Sequence, residues 1–154
     1  MRFPIAAVVS ALAAGVASVS LVAQKAANPT PAGVLTVYKT PTCGCCHQWI
    51  EHMKAAGFQV REVDMDDITE VKQTSGVPIK LRTCHTGLID GYVVEGHVPA
   101  DLVKKMLAEK PKVTGIAVPG MPQGSPGMEQ GDARDPYDVV LFDKSGKTTV
   151  YAKR

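Results

Sequence analysis

Three of the four cysteines lie in one short stretch of the chain, "TPTCGCCHQW" at residues 40–49. Cys43 and Cys46 have the C-x-x-C spacing of a dithiol that can open and close as a disulfide. Cys45 lies between them, although thiol–disulfide exchange needs only an attacking and a resolving sulfur. Because a third adjacent thiol invites wrong pairing, the stretch favours a metal site over disulfide chemistry alone.

Clustered sulfurs suit a soft metal ion, and Cu(I) prefers thiolate and thioether ligands. A thiolate can bridge two ions, so four cysteines could hold more than one copper. Cys84 is the fourth candidate ligand, with His85 beside it as a further candidate. Met121 and Met128 are thioether candidates, because they lie among glycines and prolines where no helix or strand face explains them.

Four other interpretations of the cysteines stay open. Cys43 and Cys46 could be the attacking and resolving thiols of a thiol–disulfide oxidoreductase, or a plain disulfide in an oxidising compartment. Four thiolates could bind structural zinc, although such sites usually pair two separated C-x-x-C segments. Cys84 could also be a buried core thiol, which packs as a small apolar side chain.

The remaining histidines have ordinary structural explanations. His47 and His52 fall in a predicted helix, and we expect both to be solvated at its surface. His97 comes two residues before Pro99 at a predicted helix entry, where a capping or packing role is expected.

The elements around the cysteines follow from hydrophobic period. "VLTVYK" at 34–39 predicts a strand buried on both faces. The next segment has helical period and should stop at Gly57. Its apolar face consists of Cys46, Trp49, Ile50 and Met53. The cysteines are therefore predicted at a helix N-terminus, where the helix dipole and free N–H groups favour thiolate.

The rest of the chain completes an α/β order of β-α-β-α-β-β-α. The predicted elements are a strand at 58–65, a short helix opened by Asp67 and Glu70, a hairpin built from "IKLRTCHT" and "YVVEG", and a helix from Pro99 to Glu109. Residues 113–136 are too rich in glycine and proline for a regular element, and we expect a long loop there. A C-terminal β-hairpin follows at 137–153.

The N-terminus has the layout of an export signal. A basic start and an uncharged apolar run predict a signal peptide at 1–23, then a linker at 24–33 and a single metal-binding domain at 34–154. This predicts a periplasmic protein, which would contact the membrane only if the signal stayed uncleaved. The net charge of +2 provides no strong field for nucleic acid, which we exclude as a partner.

Two resemblances agree with these patterns. The element order resembles thioredoxin-like domains, and "GVP" at 76–78 falls where that fold has a cis-proline. "CGCCHQW", "GVPIKLRTCHT", "GYVVEGHVPADLVKKML" and "AVPGMPQGSPGME" together resemble the CopG-type family of small exported bacterial proteins associated with copper resistance.

The CopG-type resemblance implies a thioredoxin-like fold and copper bound through Cys43, Cys45, Cys46 and Cys84. It also implies a role in periplasmic copper handling, with copper ions and other copper-handling proteins as partners. The leading hypothesis is a copper-binding protein of copper resistance that holds Cu(I). A further hypothesis is that it cycles copper between Cu(I) and Cu(II), and whether it turns over as an enzyme stays open.

Overall fold

The computed structural model describes residues 33–154, which form a mixed α/β fold on one seven-stranded sheet. The predicted signal peptide (1–23) and all of the predicted linker (24–33) except Gly33 lie outside these residues. The strands are β1 Val34–Lys39, β2 Gln59–Asp64, β3 His85–Ile89, β4 Tyr92–Glu95, β5 Gly115–Ala117, β6 Asp138–Phe142 and β7 Thr148–Lys153. The helices are α1 Gly44–Ala55, α2 Thr69–Thr74 and α3 Ala100–Glu109, with a 3₁₀ helix at Ile79–Leu81.

The strand order across the sheet is β2-β1-β3-β4-β5-β6-β7. β1 pairs with β2 and β4 pairs with β5 in parallel, whereas the other neighbours are antiparallel. In the β1–β3 pair, Lys39 lies opposite His85. The end of β1, which leads into the cysteines, therefore lies beside the start of β3, which directly follows Cys84.

β1 and α1 form as the sequence predicts. The predicted apolar face of α1 is completely buried, and it consists of Cys46, Trp49, Ile50 and Met53. The three larger side chains of this face pack in the same core as Leu35 and Val37 of β1. Burying one large apolar side chain stabilises the fold by about 1.5–3 kcal/mol, so this face anchors the cysteine-bearing helix firmly to the sheet. The helix ends before Gly57, whose φ of 91° suits glycine.

The predicted third strand is wrong at its beginning. After Pro78 the chain turns into the 3₁₀ helix, with the Leu81 N–H donating to the Pro78 carbonyl at 2.8 Å. The turn leaves Ile79 82% exposed and buries Leu81 in a core cluster with Val77. Cys84 consequently lies just before β3 and not on it. Among residues 33–154 no peptide bond is cis, so Pro78 is trans where the thioredoxin-like resemblance implied a cis-proline.

The helices α2 and α3 lie close to their predicted positions. Asp67 Oδ1 accepts a hydrogen bond from the Thr69 N–H at 2.8 Å at the start of α2. α3 begins directly after Pro99 and buries Leu102, Val103 and Met106. Within residues 33–154, no helix is long and apolar enough to cross a membrane.

The long loop predicted at 113–136 contains one regular element that sequence reasoning missed. β5 occupies Gly115–Ala117 and pairs with both β4 and β6. A Cβ at position 115 would lie 2.2 Å from the Val93 carbonyl oxygen, so only glycine permits this close pairing. Three residues are too short for a recognisable period. The predicted C-terminal hairpin is confirmed as β6 and β7, which extend the same sheet.

Candidate metal centre

Three of the four cysteines lie at the start of α1, one of them directly before the helix. Cys43 precedes the helix in an extended conformation, and its sulfur is joined to that of Cys46 in a disulfide. Cys45 keeps a free, partly exposed thiol, with its Sγ 3.6 Å from the Cys43 Sγ. The C-x-x-C pair therefore closes as a bridge while the third sulfur remains available.

Cys84, which directly precedes β3, contributes the fourth sulfur. The sulfur atoms of Cys43, Cys45, Cys46 and Cys84 all lie within 4.8 Å of one another. The pairing of β1 with β3 causes this approach, because it brings two segments together that are far apart in the sequence. The structure thus collects the four predicted cysteines at one point, while their binding of a metal stays a prediction.

The electrostatic environment of Cys84 differs from that of a helix-terminal cysteine. Burial, together with the neighbouring Cys45 thiol, raises the pKa of Cys84 to about 12. The Cys84 thiol is therefore protonated near neutral pH until a positive ion replaces its proton. Metal binding at this sulfur would release a proton.

Two buried imidazoles also face Cys84. The Cys84 Sγ lies 3.2 Å from His97 Nε2 and 3.4 Å from His85 Nδ1. The two rings are packed edge to face with their centroids 5.0 Å apart. Cys84, His85 and His97 form a second close group of possible metal ligands, adjoining the four cysteines.

The hydrogen bond of His97 selects its tautomer. His97 Nδ1 lies 2.8 Å from the Pro126 carbonyl oxygen, which can only accept, so Nδ1 carries the hydrogen. The Nε2 lone pair is then directed towards Cys84. Metal-binding histidines commonly have this arrangement, with one nitrogen held by a carbonyl and the other free for the ion. His97 is thus placed at the site. Of its two expected roles, capping is wrong, because the residue that precedes α3 is Pro99, whereas packing agrees with its complete burial.

Burial keeps both imidazoles neutral, which is the form that binds metals. Burial lowers the pKa of His85 well below its usual value, with His97 adding to the effect. Burial also lowers the pKa of His97, although the Pro126 carbonyl and Glu129 oppose this. His85 Nε2 is buried with no hydrogen-bond partner, while its ring packs against Trp49 at a centroid distance of 4.4 Å.

The other two histidines belong to neither of the close groups that contain Cys84. His47 is exposed, as expected, with its Nδ1 3.9 Å from Glu62 Oε2. His52 is not simply solvated, because its Nε2 accepts a hydrogen bond from the Ala100 N–H at 3.1 Å. His52, and not His97, therefore satisfies a free N–H group at the start of α3.

The glycine- and proline-rich loop packs directly on the first turns of α1. Gly127 has a φ of 83°, and a Cβ there would lie 2.7 Å from the Trp49 nitrogen and 2.8 Å from the Cys45 oxygen. Together with the bond from His97 to Pro126, this places the loop against the cysteine helix. Met121 is exposed and Met128 is partly buried. Their role as thioether ligands stays a prediction.

The chain is similar to two solved structures. "Copper resistance protein copG- Form 2" is 47% identical with a TM-score of 0.76, and the match covers 80% of this chain and 98% of that chain. "Copper resistance protein copG- Form 1" is 47% identical with a TM-score of 0.74, covering 79% of this chain and 96% of that chain. A family described as "Protein of unknown function, DUF411" matches residues 81–128, which include Cys84, His85 and His97. Among curated proteins, none matches the chain.

Proposed function

We propose that this chain, which belongs to the family of copper resistance protein CopG, is a copper-binding protein of the periplasm. It takes part in copper resistance and binds Cu(I) through Cys43, Cys45, Cys46 and Cys84. The observation that carries this proposal is the approach of all four sulfur atoms to within 4.8 Å of one another. Copper ions are the cargo, and other periplasmic copper-handling proteins are the partners.

The chemistry of the sulfur cluster suits copper better than zinc. Cu(I) is soft and favours thiolates, and bridging thiolates allow the cluster to hold more than one ion. A structural zinc site would use two separated C-x-x-C segments to form a closed tetrahedron. In this chain Cys45 and Cys46 are adjacent and one of the four sulfurs comes from another element, which favours an open cluster.

The disulfide links copper binding to oxidation state. While Cys43 and Cys46 are bridged, neither sulfur is a thiolate ligand. Opening the bridge takes up two electrons and yields two thiolates, and oxidation of two Cu(I) ions to Cu(II) supplies that number of electrons. The reverse reaction closes the bridge and reduces two Cu(II) ions. Cycling between Cu(I) and Cu(II) is thus part of the proposal.

The ligand set extends to the two imidazoles beside Cys84. His97 offers Nε2, and His85 offers the nitrogen that faces the Cys84 sulfur at 3.4 Å. Imidazole also suits Cu(II), so these ligands support copper in both oxidation states. Met121 and Met128 are retained as thioether ligands at the rim, since their loop packs on the cysteine helix.

We also propose that β1 to β4 with the three α-helices form a thioredoxin-like unit. The order β2-β1-β3-β4, the parallel β1–β2 pair and the cysteines at the start of α1 support this assignment. The trans peptide at Pro78 and the three added strands depart from that pattern.

Metal analysis tests the copper proposal most directly. Protein purified without oxygen from copper-loaded cells is expected to contain copper, in more than one equivalent if thiolates bridge. The matched control is a Cys43→Ser/Cys46→Ser variant, which cannot close the bridge and also lacks two ligands. Equal copper in the parent and this variant, or zinc in place of copper, would contradict the proposal.

A thiol–disulfide oxidoreductase is the second candidate function. The disulfide at the start of α1, with Cys43 in the attacking position and Cys46 as resolving thiol, favours it. This candidate predicts reduction of a disulfide substrate by the reduced protein without copper. The Cys43→Ser variant would then lose all activity, whereas loss of Cys45 would have little effect.

A further inference from the structure

The carboxylate of Glu95 is completely buried at the end of β4 and accepts hydrogen bonds at both oxygens. Glu95 Oε1 receives the Lys72 ammonium at 2.7 Å, the Thr83 N–H at 2.6 Å and the Thr83 hydroxyl at 3.1 Å. Glu95 Oε2 receives the Thr86 hydroxyl at 2.7 Å. Thr83 and Thr86 lie on either side of the pair formed by Cys84 and His85.

Lys72 of α2 is the charged partner of Glu95 in this hydrogen-bond network. Its side chain is 6% exposed, and its ammonium also donates to the Thr86 hydroxyl at 2.9 Å. A buried charge pair often contributes little net stability, because removing two charges from water costs about as much as their attraction returns. Stability alone therefore explains this pair poorly. Its location beside the candidate metal centre indicates a role in arranging that site.

Cys84 lies outside regular structure, although the pairing of β3 with β1 fixes the residue that follows it. Residues 82–84 lie between the 3₁₀ helix and β3, outside both. Within this segment the Thr83 N–H is held by Glu95, not by a neighbouring strand. The backbone directly before Cys84 is therefore fixed by a side-chain carboxylate, whereas the pairing of β3 with β1 fixes the backbone after it.

We propose that Glu95, held in place by Lys72, is a positioning residue that directs Cys84 towards the other three cysteines. The carboxylate accepts the Thr83 N–H before Cys84 and the Thr86 hydroxyl after His85, so it holds the segment that carries both candidate ligands at its two ends. This role rests on the proposed copper function, because Cys84 must be a ligand for its position to affect copper.

Two double variants separate positioning from charge pairing. Lys72→Met/Glu95→Gln removes both charges but keeps an amide oxygen that can accept the Thr83 N–H. Lys72→Met/Glu95→Leu removes the charges and the acceptor. Val103→Ala, a truncation in the core of α3, controls for general destabilisation, and thermal unfolding confirms that each variant is folded.

The first measurement is the alkylation of thiols in the full mature chain with the Cys43–Cys46 bridge closed. Iodoacetamide then reacts only with Cys45 and Cys84, which peptide mass mapping distinguishes. The second measurement is the competition of the reduced protein for Cu(I) with a chromogenic Cu(I) chelator. In the Leu-containing variant we expect faster alkylation of Cys84 and Cu(I) affinity lower by about ten- to a hundredfold, as for other outer-shell partners of metal ligands.

The Gln-containing variant and Val103→Ala should resemble the parent in both measurements. Equal Cys84 reactivity and copper affinity in the two double variants would overturn the proposal. If the Leu-containing variant does not fold, Glu95→Asp replaces it, because its shorter side chain cannot reach both threonines. Parent-like Cys84 reactivity in Glu95→Asp would likewise overturn the positioning role. Failure of the parent to bind Cu(I) would overturn the copper function, while the alkylation result would still decide the positioning of Cys84.

Discussion

Replacement of Cys45 distinguishes the proposed copper binding from thiol–disulfide exchange by Cys43 and Cys46. Cys45 retains its thiol when its neighbours bridge, and its Sγ lies 3.6 Å from the Cys43 Sγ. In Cys45→Ser we expect Cu(I) affinity to fall by about tenfold or more, since even outer partners of metal ligands have effects of that size. The Cys43–Cys46 bridge should still form. Chelator competition measures the affinity, and mass mapping of the oxidised protein detects the bridge.

The control for Cys45→Ser is Thr42→Ser, a nearby change that removes no sulfur. Parent-like copper affinity in Cys45→Ser, combined with loss of disulfide reductase activity in Cys43→Ser, would favour the oxidoreductase instead.

His97 provides a second test at the scale of one residue. His97→Asn retains a side-chain N–H close to the position of Nδ1, so the bond to the Pro126 carbonyl can persist while Nε2 is lost. We expect copper affinity to decrease by about ten- to a hundredfold with little change in thermal stability. His47→Asn, at an exposed position on α1, is the matched control. Copper affinity equal to that of the parent would leave His97 with a packing role only.

At the scale of elements, His52 joins α1 to the N-terminus of α3. Its Nε2 accepts the Ala100 N–H, and loss of such a cap typically costs about 0.5–2 kcal/mol. We therefore expect His52→Ala to have a lower free energy of unfolding at pH 7, measured by urea denaturation. His47→Ala, a truncation of an exposed histidine on the same helix, should have little effect.

Burial also makes the contribution of His52 depend on pH. Burial lowers the pKa of folded His52, whereas the unfolded side chain titrates near about 6.5. Between these two values the unfolded chain binds more protons, so stability is present above about pH 6.5 and is lost as pH falls towards the folded pKa. In His52→Ala the free energy of unfolding should decrease less steeply as the pH falls. It should still decrease, because His85 and His97 are also buried and neutral. An unchanged slope would contradict the role of His52.

The loop that contains Met121 and Met128 makes the second prediction about an element. Replacing both methionines with leucine retains size and apolarity but removes the sulfur, and such swaps usually cost less than about 1.5 kcal/mol. If the thioethers bind copper, retention against a chelator at mildly acidic pH should weaken, because protons compete with copper for thiolates but not for thioethers. Met106→Leu, in the core of α3, is the control. Unchanged retention in the double variant would limit the loop to a structural role.

At the scale of the whole molecule, the prediction concerns residues outside the described part of the chain. We expect the mature protein to begin near Gln24 and to occur in the periplasmic fraction, because residues 1–23 have a basic start followed by an uncharged run. N-terminal sequencing of fractionated cells tests this. A chain started at Gln24 behind a new methionine is the control and should stay in the cytoplasm. Recovery of intact Met1 with the membranes would indicate an anchored protein.

Local pattern was sufficient for the elements that present the cysteines. The apolar period of α1 and the buried run of β1 are visible in adjacent residues, and both elements formed as predicted. The start of β3 was misplaced because the chain around Ile79 and Leu81 alternates like a strand, whereas the turn after Pro78 sends those side chains elsewhere. Gly115–Ala117 was missed because its three residues form a strand only between two existing neighbours.

The remainder of the site depends on tertiary contacts that no short pattern encodes. In the sequence His97 is only a residue near the start of a helix. Its contacts with the Pro126 carbonyl and the Cys84 sulfur come from segments that are distant in the chain. Lys72 and Glu95 are 23 residues apart, and a lysine on an amphipathic helix is normally solvated. The approach of Cys84 to the other cysteines follows from the pairing of β3 with β1, which is a property of the topology and not of a short motif.

The short spacing of the bridged cysteines also affects how the protein is made. If the chain enters an oxidising compartment N-terminus first, at a rate near that of synthesis, about 5–20 residues per second, Cys46 enters seconds before Cys84, which follows 38 residues later. During that interval an oxidant meets only the three neighbouring sulfurs, which come into contact far more often than two distant cysteines do. The Cys43–Cys46 bridge therefore has a head start over every pairing with Cys84. We therefore expect few non-native crosslinks to Cys84 before β3 has joined the sheet.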